Sequence, residues 1–124
     1  MAKVSPDARL IASRISEKKI GVKAVRDRKQ CHKIMTDFNI NLGEAETIHM
    51  GKQLGALVAT DDWNAIQACK ILRLPFASSL SILIRLKENK IMNQEMAAAK
   101  LDDLARYGRF DQKIIKDVSK KLEE

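Results

Sequence analysis

The sequence predicts an α/β fold, a short parallel sheet flanked by helices. Three observations predict it. The stretch from Leu42 to Pro75, LGEAETIHMGKQLGALVATDDWNAIQACKILRLP, reads as helix, strand, helix, and such alternation implies an α/β sheet. Inside it, Ala56-Leu57-Val58-Ala59-Thr60 is a nearly all-apolar run, the pattern of a strand covered on both faces. Acidic residues stand at both connections, Glu44 at the start of the first helix and Asp61-Asp62 after the strand.

The remaining elements follow from local signals. Ser5-Pro6-Asp7 starts a helix, with Ser5 as cap and Pro6 in the first turn. Leu10, Ile11 and Ile15 are its apolar stripe. Val22-Lys23-Ala24-Val25 is expected to be a short strand, and Arg26 to Asn39 a second helix. The helix opened by Gly43-Glu44-Ala45-Glu46 turns Ala45, Ile48 and Leu54 inward and stops at Gly55. Trp63 to Leu72 is helical, and Leu74-Pro75-Phe76-Ala77 is a last strand whose proline suits a strand start or sheet edge. From 78 to 124 the chain is a helical C-terminal region. Ser78 or Ser79, Asn93 and Asp111 are its caps and Gly108 a stop. Met96, Leu101 and Leu104 are inward positions of the middle helix; Ile114, Ile115, Val118 and Leu122 form the stripe of the last.

Length and composition bound the function. The 124 residues make one domain, 31% charged and 45% hydrophobic, as in a globular protein. Aromatics are 4%, which argues against a stacking platform for single-stranded RNA. The formal net charge is +7, concentrated before residue 42, which permits a polyanion partner. Cys31 and Cys69 lack CxxC spacing, so no zinc site is argued and both are expected to be reduced. Neither a signal peptide nor a membrane-spanning run is visible, which places the chain in the cytoplasm with no membrane partner.

The acids carry the chemical argument. Open α/β sheets bind ligands beyond the carboxyl ends of their strands, where Asp61 and Asp62 stand. Glu44 sits in a first helical turn, where the dipole favours a carboxylate. If that helix runs antiparallel to the following strand, Glu44 converges with the pair. Clustered carboxylates suit Mg²⁺ or Mn²⁺. Taken alone, Asp61 reads as a helix cap, Glu46 as a solvated position, His49 as a surface position or one supporting the site from behind, Trp63 as core or interface, and the basic residues as a solvated helix face.

At these residues the chain resembles the second half of a PIN domain, the metal-dependent ribonuclease fold of VapC-type toxins and ribosome-processing nucleases. The resemblance lies in GEAE opening a helix, a strand, then Thr60-Asp61-Asp62, and is nearest to a branch described as predicted nucleic-acid-binding proteins. It implies a PIN-like three-layer fold over residues 1–124. Glu44 matches the third metal-site acid and Asp62 the fourth, so both are expected to be catalytic and to bind Mg²⁺ or Mn²⁺ weakly, with Asp61 assisting. Thr60 matches the family's threonine and, with Lys23, Arg26, Arg28, Lys29 and Lys33, is expected to hold substrate. Relative to the family pattern, the chain begins beyond the first strand with its Asp and the helix with its Glu. The expectation is therefore a partial, N-terminally truncated domain. The partners implied are RNA, an antitoxin-like protein and a second copy, since an uncovered sheet edge invites a homodimer or larger. Two functions stay open: a metal-dependent endoribonuclease, and a non-catalytic RNA- or protein-binding module.

Overall fold

The one strand pairing among the described residues is parallel. Val58 pairs with Phe76 and Ala59 with Ala77, joining β1 (Val58–Ala59) to β2 (Phe76–Ala77). The computed structural model describes residues 5–108 and 110–124. Its helices are α1 (Pro6–Ser16), α2 (Arg28–Phe38), α3 (Leu42–Leu54), α4 (Trp63–Ile71), α5 (Ser79–Glu88), α6 (Gln94–Tyr107) and α7 (Gln112–Leu122). The result is a mostly helical α/β domain with a very short sheet.

Two hydrophobic cores form. The first gathers Ile34 and Ile40 from the α2 region, Ala45 and Ile48 of α3, Val58 of β1, and Ala65, Ala68 and Cys69 of α4. Ile48 and Val58 are fully buried, each contributing about 1.5–3 kcal/mol relative to exposure. α3 approaches β1 closely at Gly51, where an added Cβ would stand 2.6 Å from a Val58 methyl. The second core gathers Leu80 and Leu83 of α5, Ala97 and Leu101 of α6, and Val118 and Leu122 of α7.

Helix boundaries follow side-chain chemistry. Ser5, Asn93 and Asp111 cap α1, α6 and α7 as expected, and Ser78, rather than Ser79, caps α5. Asp27 caps α2, which therefore starts at Arg28 and not Arg26. Gly55 ends α3 at φ 61, a left-handed conformation that glycine adopts without a Cβ penalty.

Several expectations are overturned. Residues 22–25 form no strand: Val22 is 75% exposed, and no neighbouring strand meets this segment among the described residues. The Ala56–Thr60 run yields only two strand residues, with Leu57 and Ala59 exposed, so one face of β1 lacks the second layer its composition predicted. α1 buries no residue, leaving Leu10, Ile11 and Ile15 in solvent. Leu54 and Met96 are also exposed, and Ala97 takes the inward place expected of Met96.

Candidate functional site

The loop after β1 assigns its two carboxylates to different helices. Backbone bonds Val58 N–H to Pro75 O (2.9 Å) and Thr60 N–H to Ala77 O (3.0 Å) hold the strand end in place. The Thr60 hydroxyl oxygen then accepts the Asp62 N–H at 3.2 Å, turning the chain. Asp62 Oδ2 accepts the Ala65 N–H at 2.9 Å and so caps α4. Asp61 reaches instead to the first residue of α5. Its Oδ1 accepts the Ser79 N–H and its Oδ2 the Ser79 hydroxyl, both at 2.7 Å.

Glu44 arrives at the same edge from α3. It belongs to a capping box: Asn41 Oδ1 accepts the Glu44 N–H at 2.9 Å, and Glu44 Oε2 accepts the Asn41 N–H at 3.3 Å. Gly43, Glu44 and Thr47 line a small cavity of about 90 Å³ together with Ala59, Thr60 and Ala65. The amino end of α3 therefore lies beside the carboxyl end of β1 and the first turn of α4, which Asp62 caps.

A second, larger cleft is lined by the Asp pair itself. It has a volume of about 650 Å³ and is lined by Asp61, Asp62, Trp63, Asp103, Leu104, Tyr107, Gly108 and Phe110. Trp63 is 66% exposed, not core, and Tyr107 is 80% exposed. The Lys70 ammonium lies 6.0 Å from the Trp63 ring centroid. Sequence reading offered Ser79 only as a helix cap and missed its bonds to Asp61; it missed Asp103, Tyr107 and Phe110 as cleft residues because nothing local distinguishes them, and tertiary packing brings them to the Asp pair.

The basic residues form a separate feature. Lys23 and Arg26 lie in the irregular segment before α2, and Arg28, Lys29 and Lys33 on α2 itself. All five are exposed, and Lys33 Nζ is 4.0 Å from Asp37 Oδ2. None lines the cleft that holds Asp61 and Asp62.

His49, for which the sequence left a surface position or one behind the site open, is not at the surface: it is buried in α3 at 8% exposure, and its Nε2 has no hydrogen-bond partner among the described residues. Both cysteines are buried free thiols. Burial pushes the Cys31 thiol pKa up, with further upward contributions from the charges of Glu46 and Asp27. Burial alone raises that of Cys69. Neither thiol is an activated nucleophile.

A family model described as a PIN domain matches residues 1–124. The chain belongs to the PIN domain family. No curated protein and no solved structure matches it.

PIN membership makes the chain nuclease-like, with nucleic acid as its class of ligand. PIN domains are generally metal-dependent, and the donors here fit that requirement in part. Glu44 and Asp62 each commit one oxygen to a helix cap and leave the other outside the described hydrogen bonds. Two such carboxylates suit a hydrated Mg²⁺, which keeps several waters. Among the described residues no group of three or more His, Cys, Asp or Glu is placed to hold a metal ion. The described side chains of this PIN domain therefore show helix-capping carboxylates, Glu44 on α3 and Asp62 before α4, and not a closed metal centre. Among these residues, no helix is long and apolar enough to cross a membrane.

Proposed function

We propose that this PIN domain binds RNA across the carboxyl edge of its short sheet, as a relative of Mg²⁺/Mn²⁺-dependent endoribonucleases. The family match over residues 1–124 carries the reading. The gathering of Glu44, Thr60 and the Asp pair at the end of β1 supports it, since that is where such sheets bind ligands. Glu44 and Asp62 are the carboxylates offered to Mg²⁺ or Mn²⁺, with Asp61 held in place by Ser79. Thr60 and the exposed bases Lys23, Arg26, Arg28, Lys29 and Lys33 contact phosphates, which gives affinity without sequence preference.

Two carboxylates bind a divalent ion weakly, and cleavage requires an ion held rigidly against water and phosphate. The chain alone is accordingly expected to bind Mn²⁺ weakly and to cleave RNA little or not at all. The test pairs two measurements on the protein and on Glu44→Gln/Asp62→Asn: Mn²⁺ titration and RNA cleavage. Equal Mn²⁺ binding by both proteins removes the metal edge. Robust cleavage abolished by the substitutions shows that further donors are supplied from elsewhere, a second subunit among the sources.

A second reading, a protein-interaction module, is favoured by one observation. α1 presents Leu10, Ile11 and Ile15 to solvent and buries nothing. Covering that stripe with a second copy, or with an antitoxin-like protein, would make the domain part of an assembly. Light scattering that shows a monomer at high concentration counts against the homodimer.

A further inference from the structure

We propose that the cleft between the start of α4 and the end of α6 binds an unpaired nucleobase, guanine in preference to the others. The proposal rests on the RNA reading above and names the part of the ligand this cleft takes. Its volume of about 650 Å³ lies within the range of small-molecule sites, about 300–1,000 Å³.

The lining is matched to a flat, neutral, donor-edged ligand. Trp63 and Tyr107, each the only residue of its kind in the chain, meet at this cleft with Phe110. Both Trp63 and Tyr107 leave most of their surface in solvent, and such rings stack with any base. Phe110 packs so closely on Gly108 that a Cβ there would collide with its ring, so the position of Phe110 is tied to the end of α6.

Among the described residues the charged lining is acidic: Asp61, Asp62 and Asp103. Carboxylates repel a phosphate but accept from base N–H groups. Asp61 is already engaged at both oxygens by Ser79, and Asp62 at one by Ala65. Asp103 makes no hydrogen bond or ion pair among the described residues and is the acceptor left. Guanine offers two parallel donors on one edge, N1–H and the 2-amino group, which match both oxygens of one carboxylate. Adenine and cytosine offer an amino group beside an acceptor nitrogen. Uracil offers one N–H between two carbonyls, which a carboxylate opposes. A cationic side chain also suits acids and aromatics, but Lys70 already sets an ammonium 6.0 Å from the Trp63 ring centroid and repels a second cation. The same lysine is a partner for the phosphate attached to a stacked base.

Trp63 is the sole tryptophan, so its fluorescence reports this cleft directly. Guanosine, uridine and arginine amide are titrated into the full chain. Guanosine is expected to quench saturably, with uridine about tenfold weaker. Tyr107→Ala is expected to weaken guanosine about tenfold, the loss of one stacking partner, and Asp103→Asn to bring guanosine down to uridine. Both positions are exposed, so neither variant disturbs the cores, and circular dichroism checks this. Equal quenching by guanosine and uridine, guanosine binding unchanged in Tyr107→Ala, or saturation by arginine amide in place of guanosine overturns the proposal. A labelled single-stranded RNA and its abasic counterpart separate the two readings. Equal binding of both strands overturns the base site and leaves phosphate binding standing. Guanosine quenching without binding of either strand removes the RNA reading and leaves the base site.

Discussion

Ser79 gives both its backbone N–H and its hydroxyl to Asp61, one to each carboxylate oxygen, at 2.7 Å each. The bond pair ties the end of β1 to the first turn of α5, eighteen residues later. A carboxylate at a helix amino end also meets the positive end of the dipole. Asp61→Ala is expected to destabilise the fold by about 1–2 kcal/mol, read as a lower midpoint in urea. Ser79→Ala keeps the backbone bond and is expected to cost less. A variant pair with unchanged midpoints would show that the bonds are idle in solution.

Gly51 is the tightest point between α3 and β1. Alanine there gains about 1 kcal/mol of helix propensity, yet its Cβ would stand 2.6 Å from the Val58 methyl. Overpacking of this kind costs about 1–3 kcal/mol. Gly51→Ala is therefore expected to lower the melting temperature, and Gly51→Ala with Val58→Ala to recover part of the loss. A more stable Gly51→Ala would mean that Val58 moves freely.

His49 Nε2 is buried without a hydrogen-bond partner among the described residues. An unsatisfied buried polar atom costs about 1–3 kcal/mol. His49→Leu, which keeps the volume and removes the polar atom, is expected to raise thermal stability and leave RNA binding unchanged. A fall in stability would reveal a partner for His49 in solution.

The buried thiols predict an alkaline weakness. Burial raises both pKa values above the ordinary 9.0, so above that pH the unfolded chain releases thiol protons that the folded chain retains. Stability is then lost as pH rises. Cys31→Ala/Cys69→Ala is expected to flatten that decline. In the native protein both thiols should resist alkylation and react only in denaturant.

The helices were the legible part of the sequence. Ser5, Asn93, Asp111 and Gly55 act through bonds within one turn of chain, so residue type and spacing suffice to place them. The strands were less legible. Val22–Val25 has strand composition, yet pairing needs a neighbouring strand that local sequence does not encode. At the candidate site, the placement of Glu44, Thr60 and Asp62 at the ends of α3, β1 and α4 was legible because each caps or turns its own element. The Trp63–Tyr107 cleft was not. A low aromatic content says nothing about where the few rings meet, and α6 reaches α4 only through tertiary packing.

The division of the interior into two cores has a dynamic consequence. The first core spans α2 to α4 and takes in β1 and β2, whose Phe76 packs against it, the second spans α5 to α7, and the Asp61–Ser79 bonds tie one to the other. Such an arrangement is expected to make two cooperative units that open separately. Native-state hydrogen exchange should resolve two protection classes, with a boundary near Ser78. The large cleft straddles that boundary, with Trp63 on one unit and Tyr107 on the other, so its width breathes with the seam. A ligand that bridges the two rings would merge the two classes into one, acting as a clasp on the whole molecule.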